Sequence, residues 1–406
     1  MKNIITIVMI LLSVTTFAQV TVSTLTPEFK GSGGISLDEE GNLIIADFGD
    51  FLGAADADGL PNDVMILDTN LNLSLYSPGF VGASGNDFDS NGVLFQSDIR
   101  AGAIYKIVNG VRTFVTSTGI SNPVGLAFDS NDNFYVCNCG NNTIRKVTPA
   151  GVSTLFSSGS LFFCPNGITV DEDDNLYVSN FSNGNIIKIS TTGTPTLLNT
   201  TPGGTTSGPS NGHLDYHEGT RMLYIASAGS NKIYSLPIDN PSNLQILAGT
   251  GVRGNDDGPA DEATFSRPNG VAVSVTGDSI YVNGAVPITN DPNRPLNPSL
   301  VRLLTGVLST LSVETPDTGA FYNVQEYPNP AKSEFIIEAD LNFEGIEFTI
   351  ALYDIQGRVV KKLTDLPIQG EHIKVVVDIS EFSSGTYFYS LSDEKGEKLF
   401  RKIMKD

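Results

Sequence analysis

Apolar and polar residues alternate in short runs along most of the chain, and polar turns separate the runs. The stretch 167–199 shows the pattern clearly. Ile168 and Val170 share one face of its first run, the acidic turn 171–175 follows, and three more short runs come after it. A period of two is typical of β-strands. This stretch therefore predicts four antiparallel strands joined by tight turns.

The four-run unit recurs, and each copy opens on a glycine. These glycines are 40 to 58 residues apart, at Gly34, Gly85, Gly125, Gly167, Gly212 and Gly270. A period of about 40–50 residues with several strands per unit is typical of propeller blades, which bury their faces by stacking around an axis. The repeat predicts six blades, with the glycines where the innermost strands crowd together.

Closure of the ring is left open by the pattern. Residues 20–25, 152–156 and 307–311 all have the composition of a fourth strand, so seven outer-strand candidates compete for six blades. We favour completion of the last blade by residues 20–25, because joining both ends of the chain in one blade stabilises the ring.

Residues 247–283 resemble an NHL-repeat blade junction. They contain "LAGTG", "DG", "ATF", "PNGVAV" and "YV" in the order and spacing of that family. The resemblance implies a six-bladed β-propeller, which we assign to residues 19–312. It is closest in the last blade and looser in the first two.

The first residues and the charge indicate the compartment. Residues 1–18 combine a basic Lys2, a short apolar run and small residues before the end of the segment, which is typical of a secretory signal peptide. The formal charge of −21 disfavours nucleic acid and anionic lipid as partners. No later stretch has the length and hydropathy of a transmembrane segment. We expect a secreted or cell-surface protein.

Beyond the repeat, the pattern changes. Residues 313–323 are polar and are assigned to a linker, and residues 324–406 alternate strongly, as at Phe335 and Ile337 or at Val375 and Val377. Many short strands in so few residues predict a small β-sandwich. The expected fold is therefore all-β: a six-bladed propeller followed by a β-sandwich.

The C-terminal region resembles the type A C-terminal sorting domain of the type IX (Por) secretion system. The residues that carry the resemblance are Tyr327, Pro328, Asn329, Pro330, Gly357, Arg358, Gly385 and Lys402. It implies that the type IX secretion machinery is a partner. It also implies that the chain crosses the periplasm and then the outer membrane.

Polar residues precede several first strands, at the mouth of the predicted channel. The candidate ligand-binding residues are Asn166, Asn211, His213 and Asn269. Asn before Gly is also ordinary turn chemistry, and that interpretation is the stronger one. Calcium-dependent lactonases of the gluconolactonase type have a similar Asn-Gly turn, but Asn269 stands here in place of their Asp, and "GSGG" (31–34) holds no Glu. We assign no metal and no cofactor, and keep calcium only as an alternative.

Two further patterns are interpreted as structural. Residues 87–98 match the start of a calcium loop, D-x-D-x-N-G, but fall where a turn between strands is predicted. His213 and His217 could share a strand face, yet a zinc site needs a third ligand. Neither pattern predicts a metal site.

The chain contains three cysteines, Cys137, Cys139 and Cys164. Export favours disulfides. Cys139 ends a predicted second strand and Cys164 precedes the next first strand, so both lie on one face of neighbouring blades. We predict a Cys139–Cys164 disulfide and a buried, free Cys137.

These observations favour a non-catalytic recognition protein, whose extracellular ligand is a glycan, a peptide or a protein. The alternative is a propeller hydrolase or lyase of the gluconolactonase-like type that uses a divalent cation. The two differ at the channel mouth, because a cation site needs at least three inward carboxylate or imidazole groups. A mouth of Asn, Gly and apolar residues favours recognition.

Overall fold

The chain is described here from a computed structural model. It covers residues 20–50, 62–203, 209–287, 295–310, 321–341, 348–354, 358–364, 366, 372–393 and 398–405. The proposed signal peptide, residues 1–18, lies outside the described residues. Almost all elements are β-strands, and the N-terminal part forms a six-bladed propeller.

The strands of the ring follow the chain blade by blade after a first strand, β1 (Thr21–Thr24). Blade 1 has β2 (Ile35–Leu37), β3 (Leu43–Ala46), β4 (Asn62–Leu67) and β5 (Leu73–Phe80). Blade 2 has β6 (Ala83–Phe88), β7 (Leu94–Asp98), β8 (Ala103–Val108) and β9 (Val111–Thr116). Blade 3 has β10 (Pro123–Phe128), β11 (Phe134–Asn138), β12 (Thr143–Val147) and β13 (Ser153–Ser158).

Blade 4 has β14 (Pro165–Val170), β15 (Leu176–Asn180), β16 (Asn185–Ile189) and β17 (Pro195–Thr200). Blade 5 has β18 (Leu214–His217), β19 (Met222–Ser227), β20 (Lys232–Pro237) and β21 (Gln245–Ala248). Blade 6 has β22 (Gly258–Pro259), β23 (Val271–Val273), β24 (Ile280–Ala285) and β25 (Ser299–Thr305). Each of blades 1 to 5 is an antiparallel sheet in chain order.

The last blade closes the ring with β1. This strand pairs antiparallel with β25, with Val22 opposite Leu304, and its other edge pairs with β22. The expectation for residues 20–25 therefore agrees with the structure. Residues 307–310 do not supply a strand, and residue 311 lies outside the described residues. Val307–Thr310 is a single helical turn, α1, and the backbone N–H of Val307 donates to the carbonyl of Asp278.

At one level of the ring the innermost strands approach one another so closely that several positions have no room for a side chain. A Cβ on Gly85 would lie 2.6 Å from the Cα of Gly125, and one on Gly167 would lie 2.5 Å from the Cα of His213. In blade 5, however, this position is His213, not the predicted Gly212. The N–H of His213 donates to the carbonyl of Asn269 in the next blade, as the N–H of Gly34 does to Ser84 in blade 2.

The acidic turns between first and second strands also connect blades. The N–H of Ser90 donates to a carboxylate oxygen of Asp132 in the next blade at 2.9 Å, and that of Ser130 donates to Asp174 at 2.8 Å. Repeated Asp residues in these turns therefore have a structural role, and they account for part of the negative charge.

The C-terminal domain has two sheets that enclose one apolar core. One sheet consists of β26 (Phe321–Tyr327), β27 (Glu334–Leu341) and β30 (His372–Asp378). The other consists of β28 (Phe348–Tyr353), β29 (Val359–Leu363), β31 (Gly385–Asp393) and β32 (Lys398–Lys405). The domain begins at Phe321, so residues 321–323, assigned to the linker from the sequence, lie in its first strand.

A small apolar cluster joins the two domains. Leu308, in α1, and Phe400, in β32, pack against Ala351, Tyr353 and Phe388 of the C-terminal domain. The ring of Phe400 also lies 5.8 Å from the His217 ring, centroid to centroid. The C-terminal domain thus rests on the end of the propeller where the first strands end.

Candidate functional site

The structure has one cavity at each end of the propeller channel, and three of the four predicted ligand residues line one or the other. A cavity of about 220 Å³ lies where the first strands begin, and we call it the mouth pocket. Asn166 and Asn269 line it, whereas Asn211 and His213 do not. His213 instead lines a cavity at the opposite end.

The three asparagines use their amides mainly to hold neighbouring blades together. Asn166 Nδ2 donates to the carbonyl of Asn211 at 3.0 Å, and Asn269 Nδ2 donates to the carbonyl of Ser32 at 2.7 Å. Asn211 is fully buried and is held by the Thr201 hydroxyl at 2.7 Å. The bonds of Asn166 and Asn269 run between blades rather than within the Asn-Gly turns. They leave Asn166 and Asn269 as pocket walls with their hydrogen bonds already made.

The rest of the mouth pocket is largely apolar. Its floor and walls include the disulfide between Cys139 and Cys164, which links blades 3 and 4. Cys137 is free and buried. Apolar walls are provided by Phe48, Ile99, Val124, Phe181, Pro209 and Leu296, with Asn122 and Arg267 beside them. Among the described residues that line it, none carries a carboxylate or an imidazole.

A larger cavity, of about 450 Å³, occupies the other end of the channel, and we call it the channel pocket. Each first strand contributes to its wall. Asp87 in β6 and Asp215 in β18 lie at corresponding positions of blades 2 and 5. The blades contact one another in cyclic order, so these two blades face each other across the channel. The sequence predicts a turn at residues 87–98, but Asp87 lies within β6 and lines the channel.

Backbone groups hold both carboxylates. Asp87 accepts from the N–H of Phe88 at 2.9 Å and of Phe128 in the next blade at 3.3 Å. Asp215 accepts from the N–H of Val273 in the next blade at 2.8 Å and from that of Tyr216 at 2.8 Å. Each side chain thus links two blades, and none of these donors is a cation.

Burial changes the charge state of these groups. Desolvation raises the pKa of Asp87 to about 7, and the nearby charge of Asp215 adds to the increase. Desolvation also raises the pKa of Asp215 to about 6. The backbone donors lower both pKa values, but by less than burial raises them. Both groups therefore change ionisation near neutral pH.

Three polar atoms in the wall of the channel pocket have no hydrogen-bond partner among the described residues. They are Ser36 Oγ, Asn86 Oδ1 and His213 Nε2. Asn86 and His213 are each only 8% exposed. Burial lowers the pKa of His213 to about 4, so its ring is neutral at pH 7. Buried polar groups are rarely left unpaired without water or a ligand.

The two histidines do not form a common site. His217 lies at the outer end of the pocket, where its Nδ1 contacts the Thr220 hydroxyl at 2.9 Å and its Nε2 contacts the Val275 carbonyl at 3.0 Å. Across the part of the chain that the structure describes, no group of three or more His, Cys, Asp or Glu side chains could hold a metal ion.

In the C-terminal domain, the predicted motif converges on the last strand. Asn329 Nδ2 donates to the carbonyl of Lys402 at 3.1 Å, and Asn329 Oδ1 accepts from the N–H of Met404 at 2.9 Å. Gly385 opens β31 opposite Lys405 in β32. Arg358 pairs with Asp354 at 2.6 Å. The remaining motif residues, Tyr327, Pro328 and Pro330, flank Asn329, and Gly357 lies outside the described residues.

Comparison with protein families identifies this region. Residues 325–406 match the family described as "Secretion system C-terminal sorting domain", and residues 121–147 match the NHL repeat. The chain thus contains an NHL repeat within its propeller and ends in a C-terminal sorting domain. The sorting domain is the signal for type IX secretion, to the cell surface or the extracellular space. No curated protein matches the chain.

Solved structures share the propeller fold at low identity. A protein of unknown function from Bacteroides thetaiotaomicron is 16% identical, with a TM-score of 0.55 over 70% of this chain and 76% of its own. An auxiliary nutrient binding protein from Bacteroides ovatus is 15% identical, with a TM-score of 0.51 over 71% and 76%. A gluconolactonase from Xanthomonas campestris is 14% identical, with a TM-score of 0.50 over 70% and 88%. These similarities concern the fold alone.

The described residues contain no helix that is long and apolar enough to cross a membrane.

The residues that sequence reasoning missed are Ser36, Asn86, Asp87 and Asp215. An alignment of the blades could have singled out Asp87, because the equivalent positions in blades 3 and 6 are Ala127 and Ala272. A carboxylate at one repeat position that is alanine in other blades stands out once the blades are aligned.

Proposed function

We propose that this protein is an exported recognition module that binds an extracellular ligand at the mouth pocket without catalysing a reaction. The supporting observation is the lining of that pocket. Apolar side chains, three asparagine amides and one guanidinium surround it, and none of its described residues carries a carboxylate or imidazole. Such a site can bind an apolar group with a few polar contacts, but it offers a divalent cation no charged ligand.

The route of export completes the proposal. Residues 1–18 direct the chain across the inner membrane, and the sorting domain then directs it from the periplasm to the outside. The ligand is a glycan, a peptide or a protein that presents an apolar group to the mouth pocket. The alternative, a gluconolactonase-like hydrolase or lyase, requires a divalent cation at this same mouth.

Metal titration separates the two functions. The full chain is heated in EDTA, in calcium and in zinc, because a ligand that binds only the folded state raises the melting temperature. We expect the same melting temperature in all three. A rise of several degrees with calcium or zinc would favour the hydrolase or lyase.

The pocket itself is tested with 8-anilinonaphthalene-1-sulfonate, a fluorescent apolar probe. Ile99→Glu places a charge in the apolar wall and should abolish the probe signal. Leu75→Glu is the matched control, because Leu75 is 53% exposed on an outer strand. Equal fluorescence from both variants and the wild-type chain would contradict a binding role for the mouth pocket.

A further inference from the structure

We propose that the channel pocket is a second binding site, and that it takes a small organic ammonium cation held between Asp87 and Asp215. This site lies at the opposite end of the channel from the mouth pocket. It is therefore independent of the function proposed above.

The first support is electrostatic. Asp87 and Asp215 come from opposite blades, and no lysine or arginine lines the pocket among the described residues. Their hydrogen-bond donors are backbone N–H groups, with the Thr169 hydroxyl at 3.5 Å from Asp215. Two partly buried, desolvated carboxylates without a counter-ion repel each other and are costly to ionise. A bound cation removes that cost.

The second support is the set of unpaired polar atoms at the inner end of the pocket. Asn86 Oδ1 is an acceptor, the Ser36 hydroxyl can accept, and Nε2 of the neutral His213 ring accepts in the tautomer that is protonated at Nδ1. An ammonium group is a donor only. Residues of the pocket wall therefore carry covered, unpaired acceptors, which favours a donor-rich ligand, and nine-tenths of the surface of Asn86 and His213 is already buried.

The third support is the nature of the walls. Leu126, Ile168 and Val271 form an apolar layer, and the aromatic rings of Phe128 and Tyr216 also line the cavity, as does Phe400 of the sorting domain. An alkyl or aryl body fits such walls, and a cation also gains from aromatic faces. The acidic rim residues Asp38, Glu39 and Glu218 attract cations and repel anions.

These features favour an organic ammonium over a metal ion. A divalent metal prefers several directly coordinating oxygens, and the described residues form no group of three or more suitable side chains. An ammonium group needs only two or three acceptors within hydrogen-bonding distance. Its hydrocarbon part fills a cavity of about 450 Å³, which is far larger than one ion requires.

Isothermal titration of the full chain with benzylamine and benzyl alcohol at pH 8 tests the proposal. The two probes have nearly the same shape, but only benzylamine carries a charge at this pH. We expect benzylamine to bind about 30-fold more tightly or better, which is the size of effect that a buried charge pair gives. Equal affinity for the two probes, or binding of neither, would overturn the proposal.

Variants locate the site. Asp87→Asn and Asp215→Asn should each weaken benzylamine binding about tenfold or more, whereas Glu40→Gln, close to the rim but outside the lining, should leave it unchanged. Ile99→Glu, in the mouth pocket, should also leave it unchanged. Benzylamine binding that survives both Asn variants would place the amine elsewhere and refute the assignment. The comparison of the two probes on the wild-type chain stands even if a variant fails to fold.

Discussion

Asp87→Asn should stabilise the protein at pH 8 and not at pH 4.5. The substitution keeps the size of the side chain and one carbonyl acceptor but removes the charge. In the folded state, burial raises the pKa of Asp87 to about 7, against an ordinary value of 3.8. A carboxyl with a raised folded-state pKa binds its proton more tightly in the folded chain. Stability therefore falls as pH rises from about 4 to about 7 and stays low above that range.

The size of the effect follows from the shift in pKa. The rise of the Asp87 pKa from 3.8 to about 7 lowers the free energy of unfolding by about 4 kcal/mol at pH 8. At pH 4.5 the same rise lowers it by at most about 1 kcal/mol. Asparagine loses one of the two backbone hydrogen bonds, which costs about 1 kcal/mol at either pH. The net gain at pH 8 is therefore about 2–3 kcal/mol, and at pH 4.5 the gain and the loss nearly cancel.

Urea denaturation at the two pH values, followed by far-ultraviolet circular dichroism, measures the difference between wild-type and variant chains. Asp129→Asn is the control with the opposite sign. Burial raises the pKa of Asp129, but hydrogen bonds from Asn133, Asn131 and Lys146 outweigh burial and lower the pKa. Its charge therefore stabilises the fold at pH 8. If Asp87→Asn lowers stability equally at both pH values, the buried charge is not the cause.

Four further predictions concern the rest of the chain. Cys164→Ser breaks the disulfide to Cys139, which closes a loop of 25 residues. It should lower the free energy of unfolding, measured by urea denaturation, by about 3 kcal/mol, and an unchanged midpoint would contradict a formed disulfide. Arg302→Met removes a buried guanidinium that donates to two backbone carbonyls and one carboxylate in blade 6. It should lower the free energy of unfolding by about 3 kcal/mol in the same assay. Asn329→Ala removes both hydrogen bonds to the last strand and should reduce the exported fraction, measured by cell fractionation; wild-type amounts in the medium would argue against this role. A chain ending at Thr310 loses the small interdomain cluster and the contact between the Phe400 and His217 rings. Its propeller should melt within a few degrees of the intact protein in calorimetry, and failure to fold would show that the sorting domain supports the ring.

Much of the architecture could be predicted because the repeat is read from local pattern. The four-run unit follows from alternation. Alternation alone leaves the closing strand open, and residues 20–25 are favoured because they join both ends of the chain in one blade. The position of His213 could not be read in the same way, since Gly212 precedes it and makes an equally good start for a strand. Its register is set by the bond to Asn269 in the next blade, which is a contact between distant parts of the chain.

The residues of the two pockets also depend on contacts between distant parts of the chain, which a local sequence pattern does not show. The sequence directed attention to Asn166 and Asn269 because Asn-Gly turns are visible as motifs, and the structure shows their amides linking blades. Asp87 and Asp215 carry no local motif. They are more than 120 residues apart, and only the sixfold arrangement of the blades brings them to opposite sides of one cavity.

The pairing of β1 with β25 joins the two ends of the propeller, and we expect it to form late in folding. Val22 and Leu304 are nearly a whole propeller apart in sequence, so this contact has the highest loop-closure cost in the ring and should form late. Until then, blades 1 to 5 form an open arc whose two end blades expose apolar faces and unpaired strand edges. A chain emerging from its N-terminus cannot complete the ring before residue 305 has been released. An export pathway therefore has a long interval in which this propeller is still open and susceptible to proteases and chaperones.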